Sequence, residues 1–142
     1  MTDHLDLPTP PDGIRLSPGF SYDQLDAANG DLLLAAYTRV DTATQRAALQ
    51  LLGDIDVRSE AWFRDRLAAA IKQATSERQR PAIHLDLHSI AYFSAAAAGI
   101  FAGLTATGTT LVIHRPSRIA SRVLTLSGVL PRLHVDPAEP PL

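Results

Sequence analysis

The stretch "AIHLDLHSIAYFSAAAAGIF" (Ala82–Phe101) changes its hydrophobic period half-way along. Up to Leu87 the apolar residues alternate. Ile83, Leu85 and Leu87 share one face of an extended segment, and His84, Asp86 and His88 share the other. After Phe93 the composition turns to alanine, the best helix former, and Ser94 stands where an N-cap belongs. A strand therefore runs straight into a helix. That junction orders everything on either side of it.

Downstream, "TATGTT" (Thr105–Thr110) reads as a turn and "TLVIHRP" (Thr110–Pro116) as the next strand. "SRIASRVLTLSG" then reads as a helix capped by Ser117 and stopped by Gly128, with Ile119, Val123 and Leu126 turned inward. "RLHV" (Arg132–Val135) is expected as a short final strand.

Upstream, "SEAWFRDRLAAAIKQAT" places Phe63, Leu67, Ala70, Ile71 and Ala74 on one helical face, away from Arg64, Asp65 and Lys72. Ser59 is its expected cap. "LLLAAYTRV" (Leu32–Val40) and "AALQLLGDIDV" (Ala47–Val57) read as two strands joined by a short polar turn, hence an antiparallel hairpin. The order β-β-α-β-α-β-α predicts an α/β domain. Its sheet is mixed but mostly parallel, with four to five strands and helices packed on it.

At 142 residues and 46% hydrophobic the chain suits one domain with a sizeable core. The core is expected over residues 31–136. Residues 1–30, punctuated by "PTPPDG", "SPG" and "NGD", read as a partly irregular extension packed locally through Phe20, Tyr22 and Leu25, and residues 137–142 as a short tail. A net charge of −2 with scattered arginines gives no basic stripe, so no nucleic-acid partner is expected. With no cysteine, disulfides, thiolate metal sites and thiol catalysis are all excluded. The acidic, proline-rich start is unlike a signal peptide, and the cytoplasm is the expected compartment. Ser89–Ile113 carries no charge and is long enough to span a bilayer, but its Ala, Gly and Thr content and internal turn fit a buried helix followed by a buried strand. No membrane association is expected.

Signatures of chemistry are missing. The sequence has no glycine-rich phosphate loop, no HExxH and no G-x-S-x-G, so neither an enzyme nor a cofactor is expected. His84, Asp86 and His88 could present three metal ligands on one strand face, yet polar groups on a central strand more commonly bond to loops and helix ends. No metal site is expected from them. His114 and His134 have no partner at readable spacing. Trp62 opens the first helix and could anchor a partner. "GDID" (Gly53–Asp56) reads as a strand-end turn.

Four landmarks in order resemble the STAS family, the domain of anti-sigma factor antagonists. "GDIDVRSEAWFRDRLAAAI" is similar to the family's GELD strand end and first helix. "IHLDLHSIAYF" is similar to its central strand. "SAAAAGIF" stands in place of D-S-S-G-L-G-hh, and "LVIHRPSRIASRVLTLSGV" resembles its late strand and helix. The resemblance covers about Leu32 to Val135. It implies a bacterial regulator of transcription that binds a kinase-type anti-sigma factor or another regulatory protein, and whose binding is switched off by phosphorylation of a serine opening the second helix. Carried over residue by residue, the family's Asp falls on Ser94, its first Ser on Ala95 and its phosphoacceptor Ser on Ala96. Its first Gly falls on Ala97, and its second is kept as Gly99. Alanine has no hydroxyl, so control at Ala96 is expected to be lost. The partner-binding surface implied is Ser94, Ala95, Ala96, Asp54, Asp56 and Trp62. A small-molecule or anion-sensing STAS module is the alternative.

Overall fold

A computed structural model describes residues 20–75 and 80–138. Six strands lie in one sheet in chain order: β1 (Ser21–Asp26), β2 (Leu32–Asp41), β3 (Arg46–Ile55), β4 (Ala82–Phe93), β5 (Thr110–His114) and β6 (His134–Asp136). The helices are α1 (Glu60–Ala74), α2 (Ala95–Ala106) and α3 (Arg118–Ser127), and a 3-10 turn (Leu130–Arg132) precedes β6. β1, β2 and β3 pair antiparallel, whereas β3 through β6 pair parallel.

Six strands replace the expected four to five. The added one, β1, lies inside the stretch read as partly irregular extension. "SYDQLD" has a single aliphatic residue, so its sequence carries no strand signal; pairing with the long β2 makes it a strand. Tyr22 and Leu25 are thus ladder residues, and the Tyr22 ring meets Tyr37 at 4.7 Å. Residues 1–19 of that extension lie outside the described residues.

The strand order dictates where the helices go. Each parallel crossover steps one strand in the same direction, and a right-handed crossover places its helix on a fixed side. All three helices therefore cover one face. Leu34 and Ala36 of β2, Leu49 and Leu51 of β3, Ile83, Leu85 and Leu87 of β4, and Leu111 and Ile113 of β5 point into it. Phe63 and Leu67 of α1, Ala97, Ala98 and Phe101 of α2, and Ala120 and Leu124 of α3 close over them. Phe101 joins the layers, 6.1 Å from Phe63 and 5.6 Å from Phe93 between ring centres.

Two expected inward or capping roles change. Leu126 is 77% exposed, and the buried positions of α3 are Ala120 and Leu124, a repeat of four that leaves Leu126 on the outer side. Ser59 stands at the N-cap of α1 but does not cap it. Its buried hydroxyl instead donates to the Asp54 carbonyl (2.7 Å) and accepts from the Asp56 amide (3.0 Å), tying off the β3–α1 turn.

Gly53 fixes the approach of β3 to β2. Its φ is +118°, and a Cβ there would lie 2.4 Å from the Leu33 carbonyl oxygen. Only glycine lets the two backbones come this close.

Candidate functional site

The strand-to-helix junction at Ser94 lies at the carboxyl ends of the parallel strands β3 and β4. Ile55 pairs with Phe93, and the Ser94 amide donates to the Ile55 carbonyl at 2.9 Å. This bond stitches the first residue after β4 to the last of β3. Ser94 then leaves the extended region and caps α2, its hydroxyl accepting from the Ala97 amide at 3.1 Å. Ala97 and Ala98 turn into the core, and Ala95, Ala96 and Gly99 are exposed. The exposed start of α2 is thus a smooth surface of methyl groups and backbone.

Beside it lies the β3–α1 turn. The Arg58 guanidinium grips Asp56 at 2.6 Å and lies 3.7 Å from Asp54. The bond from Arg58, more than any other contact, holds the Asp56 carboxyl below its ordinary range. Asp54 pairs with Tyr92 across the β3–β4 ladder, so this acidic turn and the start of α2 form one continuous rim.

Of the residues singled out from sequence, Ser94, Ala95, Ala96, Asp54 and Asp56 come together here. Trp62 does not join them. Phe63 points toward α2 and meets Phe101, whereas Trp62 lies under the Arg66 guanidinium, which reaches Asp23 of β1 on the other flank of α1. Sequence reasoning missed two members of the rim, Tyr92 (49% exposed) and Val57 (83% exposed). Their signal was available: a bulky aromatic and a valine beside strand ends, outside the alternation of the core. Chemically the rim offers methyl groups, one aromatic ring, a capped hydroxyl and two carboxylates tied to an arginine. Groups of this kind can meet another surface by shape and charge.

The histidines are arranged differently from the sequence expectation of one shared face. His84 and Asp86 are buried on the helix-free face of the sheet, but His88 is exposed, because a register shift between Gln50 and Leu52 inserts an extra residue into β4 there. Asp86 binds the Arg115 guanidinium at 2.5 Å and accepts from the His88 amide at 3.1 Å. His84 stacks on His114, with Nδ1 of the first 2.7 Å from Nε2 of the second. His114, which has no partner at a readable sequence spacing, gains one 30 residues away because β5 lies beside β4. Among the described residues no group of three His, Cys, Asp or Glu converges as a metal site would require.

The family model described as "Mlab, STAS domain" matches residues 38–133. The chain belongs to the STAS domain family. Two solved structures share its fold. An anti-sigma factor antagonist from Mycobacterium paratuberculosis superposes with a TM-score of 0.60 at 16% identity, over 80% of this chain and 92% of that one. The anti-sigma factor antagonist SpoIIAA in its unphosphorylated form superposes with a TM-score of 0.54 at 20% identity, over 72% of this chain and 89% of that one. No curated protein sequence matches. Among the described residues of this STAS domain, no helix is long and apolar enough to cross a membrane.

Proposed function

We propose that this STAS domain is a non-enzymatic protein-interaction module of the anti-sigma factor antagonist kind. Its partner would be a kinase-type anti-sigma factor or another regulatory protein, bound at the rim of Ser94, Ala95, Ala96, Asp54 and Asp56. Binding would not be switched by phosphorylation at Ala96. The observation that carries the reading is the joining of the start of α2 to the acidic β3–α1 turn through the bond from the Ser94 amide to Ile55. Partner recognition at this place keeps the scaffold, while the methyl group of Ala96 removes the acceptor. The hydroxyl that remains, on Ser94, accepts from the Ala97 amide as the helix cap.

The test is capture of purified kinase-type anti-sigma factors by the full chain, with Ala96→Glu as the disrupted variant and Ala96→Ser as the restored one. The wild type should bind with and without ATP. Ala96→Glu should lose binding through bulk and charge. Ala96→Ser should accept phosphate and then release its partner. No binding at micromolar concentration removes this partner class, and phosphate on Ser94 of the wild type removes the claim that control is absent.

A further inference from the structure

α3 carries its charges the wrong way round for a helix. Anions are favoured in the first turn and cations in the last. α1 follows this rule, with Glu60 in its first turn and Lys72 in its last. α3 begins with Arg118, has no acidic residue in its first turn and no basic residue in its last. Arg122 stands one turn further on, and like charges at this spacing repel. Both arginines are exposed, α3 holds no carboxylate of its own, and neither arginine makes an ion pair among the described residues. The stability of the helix itself therefore does not account for the pair.

The same helix leaves apolar surface beside them. Ala120 and Leu124 are its buried residues. Ile119, Val123 and Leu126 recur at helical spacing and form a row along one flank. Ile119 and Val123 are half-buried, and Leu126 is 77% exposed. One exposed leucine is ordinary on a protein surface. Here it ends an apolar row that runs alongside two cations without counter-ions. This face is also set back from the rim at Ser94. The Ser117 amide, just before α3, donates to the Leu87 carbonyl, well short of Phe93 at the end of β4.

We propose that the outer face of α3 is a second docking surface, fitted to an acidic amphipathic helix of a partner protein. Apolar side chains of that helix pack on Ile119, Val123 and Leu126, and its carboxylates meet Arg118 and Arg122. Charge complementarity selects this occupant. A carboxylate on Arg118 supplies the negative charge that the first turn lacks, and neutralising the pair removes its repulsion. A guanidinium can hold a carboxylate through two parallel N–H bonds. An apolar row at helical spacing, flanked by charge, is half of a helix-in-groove contact. The 10 residues of α3 span about 15 Å, room for about three turns of a partner helix. A lipid surface fits less well, because two arginines and one freely exposed leucine offer little charge and little apolar area to a bilayer. A nucleic acid also fits less well, since the chain carries a net charge of −2. The surface stands apart from the rim, so it does not depend on the partner class proposed there.

The probe is a synthetic helical peptide of about 18 residues, with leucines on one face and glutamates flanking them. It is titrated into the isotopically enriched full chain. Expected are amide NMR shifts at Ile119, Arg122, Val123 and Leu126, with Ser94, Ala96 and Gly99 of the rim unmoved. Binding should weaken about tenfold in the double variant Arg118→Glu, Arg122→Glu, and about fivefold in Leu126→Ser. All three side chains are exposed, so the variants should keep the sheet spectrum of the wild type. The same peptide with lysine in place of glutamate should bind the double variant and not the wild type. No shift at about 1 mM peptide, shifts centred on the rim, or binding that the arginine reversals leave unchanged overturns the proposal. So does wild-type binding to phosphatidylglycerol vesicles that the double variant loses, because a lipid surface would then be the occupant.

Discussion

Acid should destabilise this domain through one buried histidine, and the size of the effect follows from its surroundings. His84 is 8% exposed, and burial, with the His114 ring stacked at 5.0 Å, pushes its pKa down to about 4. The tautomers follow from the contacts. The Ala138 carbonyl can only accept, so His114 Nδ1 carries a proton and its Nε2 accepts from His84 Nδ1–H. Protonating His84 at Nε2 keeps that bond but puts a charge into a buried site, with the charge of Arg46 also opposing it and Asp136 favouring it. A folded pKa below the unfolded value of about 6.5 means that the unfolded chain takes the proton first. Stability is then full above pH 6.5 and falls as the pH drops toward 4. The loss is about 2 kcal/mol by pH 5 and approaches about 3 kcal/mol below pH 4, because a tenfold difference in proton affinity is worth about 1.4 kcal/mol. Urea unfolding, followed by the fluorescence of Trp62 between pH 8 and pH 4, measures it. The comparison is His84→Gln, whose amide can still donate to His114. Wild type should lose about 1 kcal/mol more than the variant for each pH step of one between pH 6 and pH 4.5. Equal slopes would refute the assignment of the buried neutral histidine as the origin.

Three further outcomes rest on single contacts. Ser94→Ala removes the acceptor for the Ala97 amide and should cost about 1 kcal/mol in thermal or chemical unfolding, with the sheet spectrum unchanged. Gly53→Ala forces a methyl group against the Leu33 carbonyl at positive φ and should cost about 2–4 kcal/mol or prevent soluble expression; a neutral effect would mean that β2 and β3 can separate locally. Gly103→Ala, on the exposed side of α2 with nothing within 4 Å of the new methyl, should stabilise the isolated chain by about 1 kcal/mol, visible as a higher melting temperature.

The junction at Ser94 was legible because three local signals coincide there: an alternating period that stops, a hydroxyl at the cap position and a run of alanine. Phe63, Leu67, Ala70 and Ala74 were legible for the same kind of reason, a face repeated every turn. α3 was harder. Its apolar residues outnumber one face, and the choice between Leu124 and Leu126 is made by where β4 and α2 lie. β1 left no trace, since a stretch of tyrosine, aspartate and glutamine becomes a strand only when β2 supplies the hydrogen bonds. Ser59 shows the same limit from the other side. A serine before a helix reads as a cap, but the tight β3–α1 turn brings the Asp54 carbonyl within reach and takes the hydroxyl first.

The sequence by itself determined the main periods, the caps at Ser94 and Ser117 and the order of elements from β2 onward, because these depend on residues within one or two turns of each other. From that order an α/β domain with a mixed sheet follows, but that all three helices lie on one face depends on the strand order, which the tertiary structure supplied. Only the tertiary structure decided which residues meet across the chain. It placed Asp54 and Asp56 beside Ala95 and Ala96, turned Trp62 away from them, and brought His114 onto His84. Such pairings depend on strand neighbours tens of residues apart, and no local period encodes them.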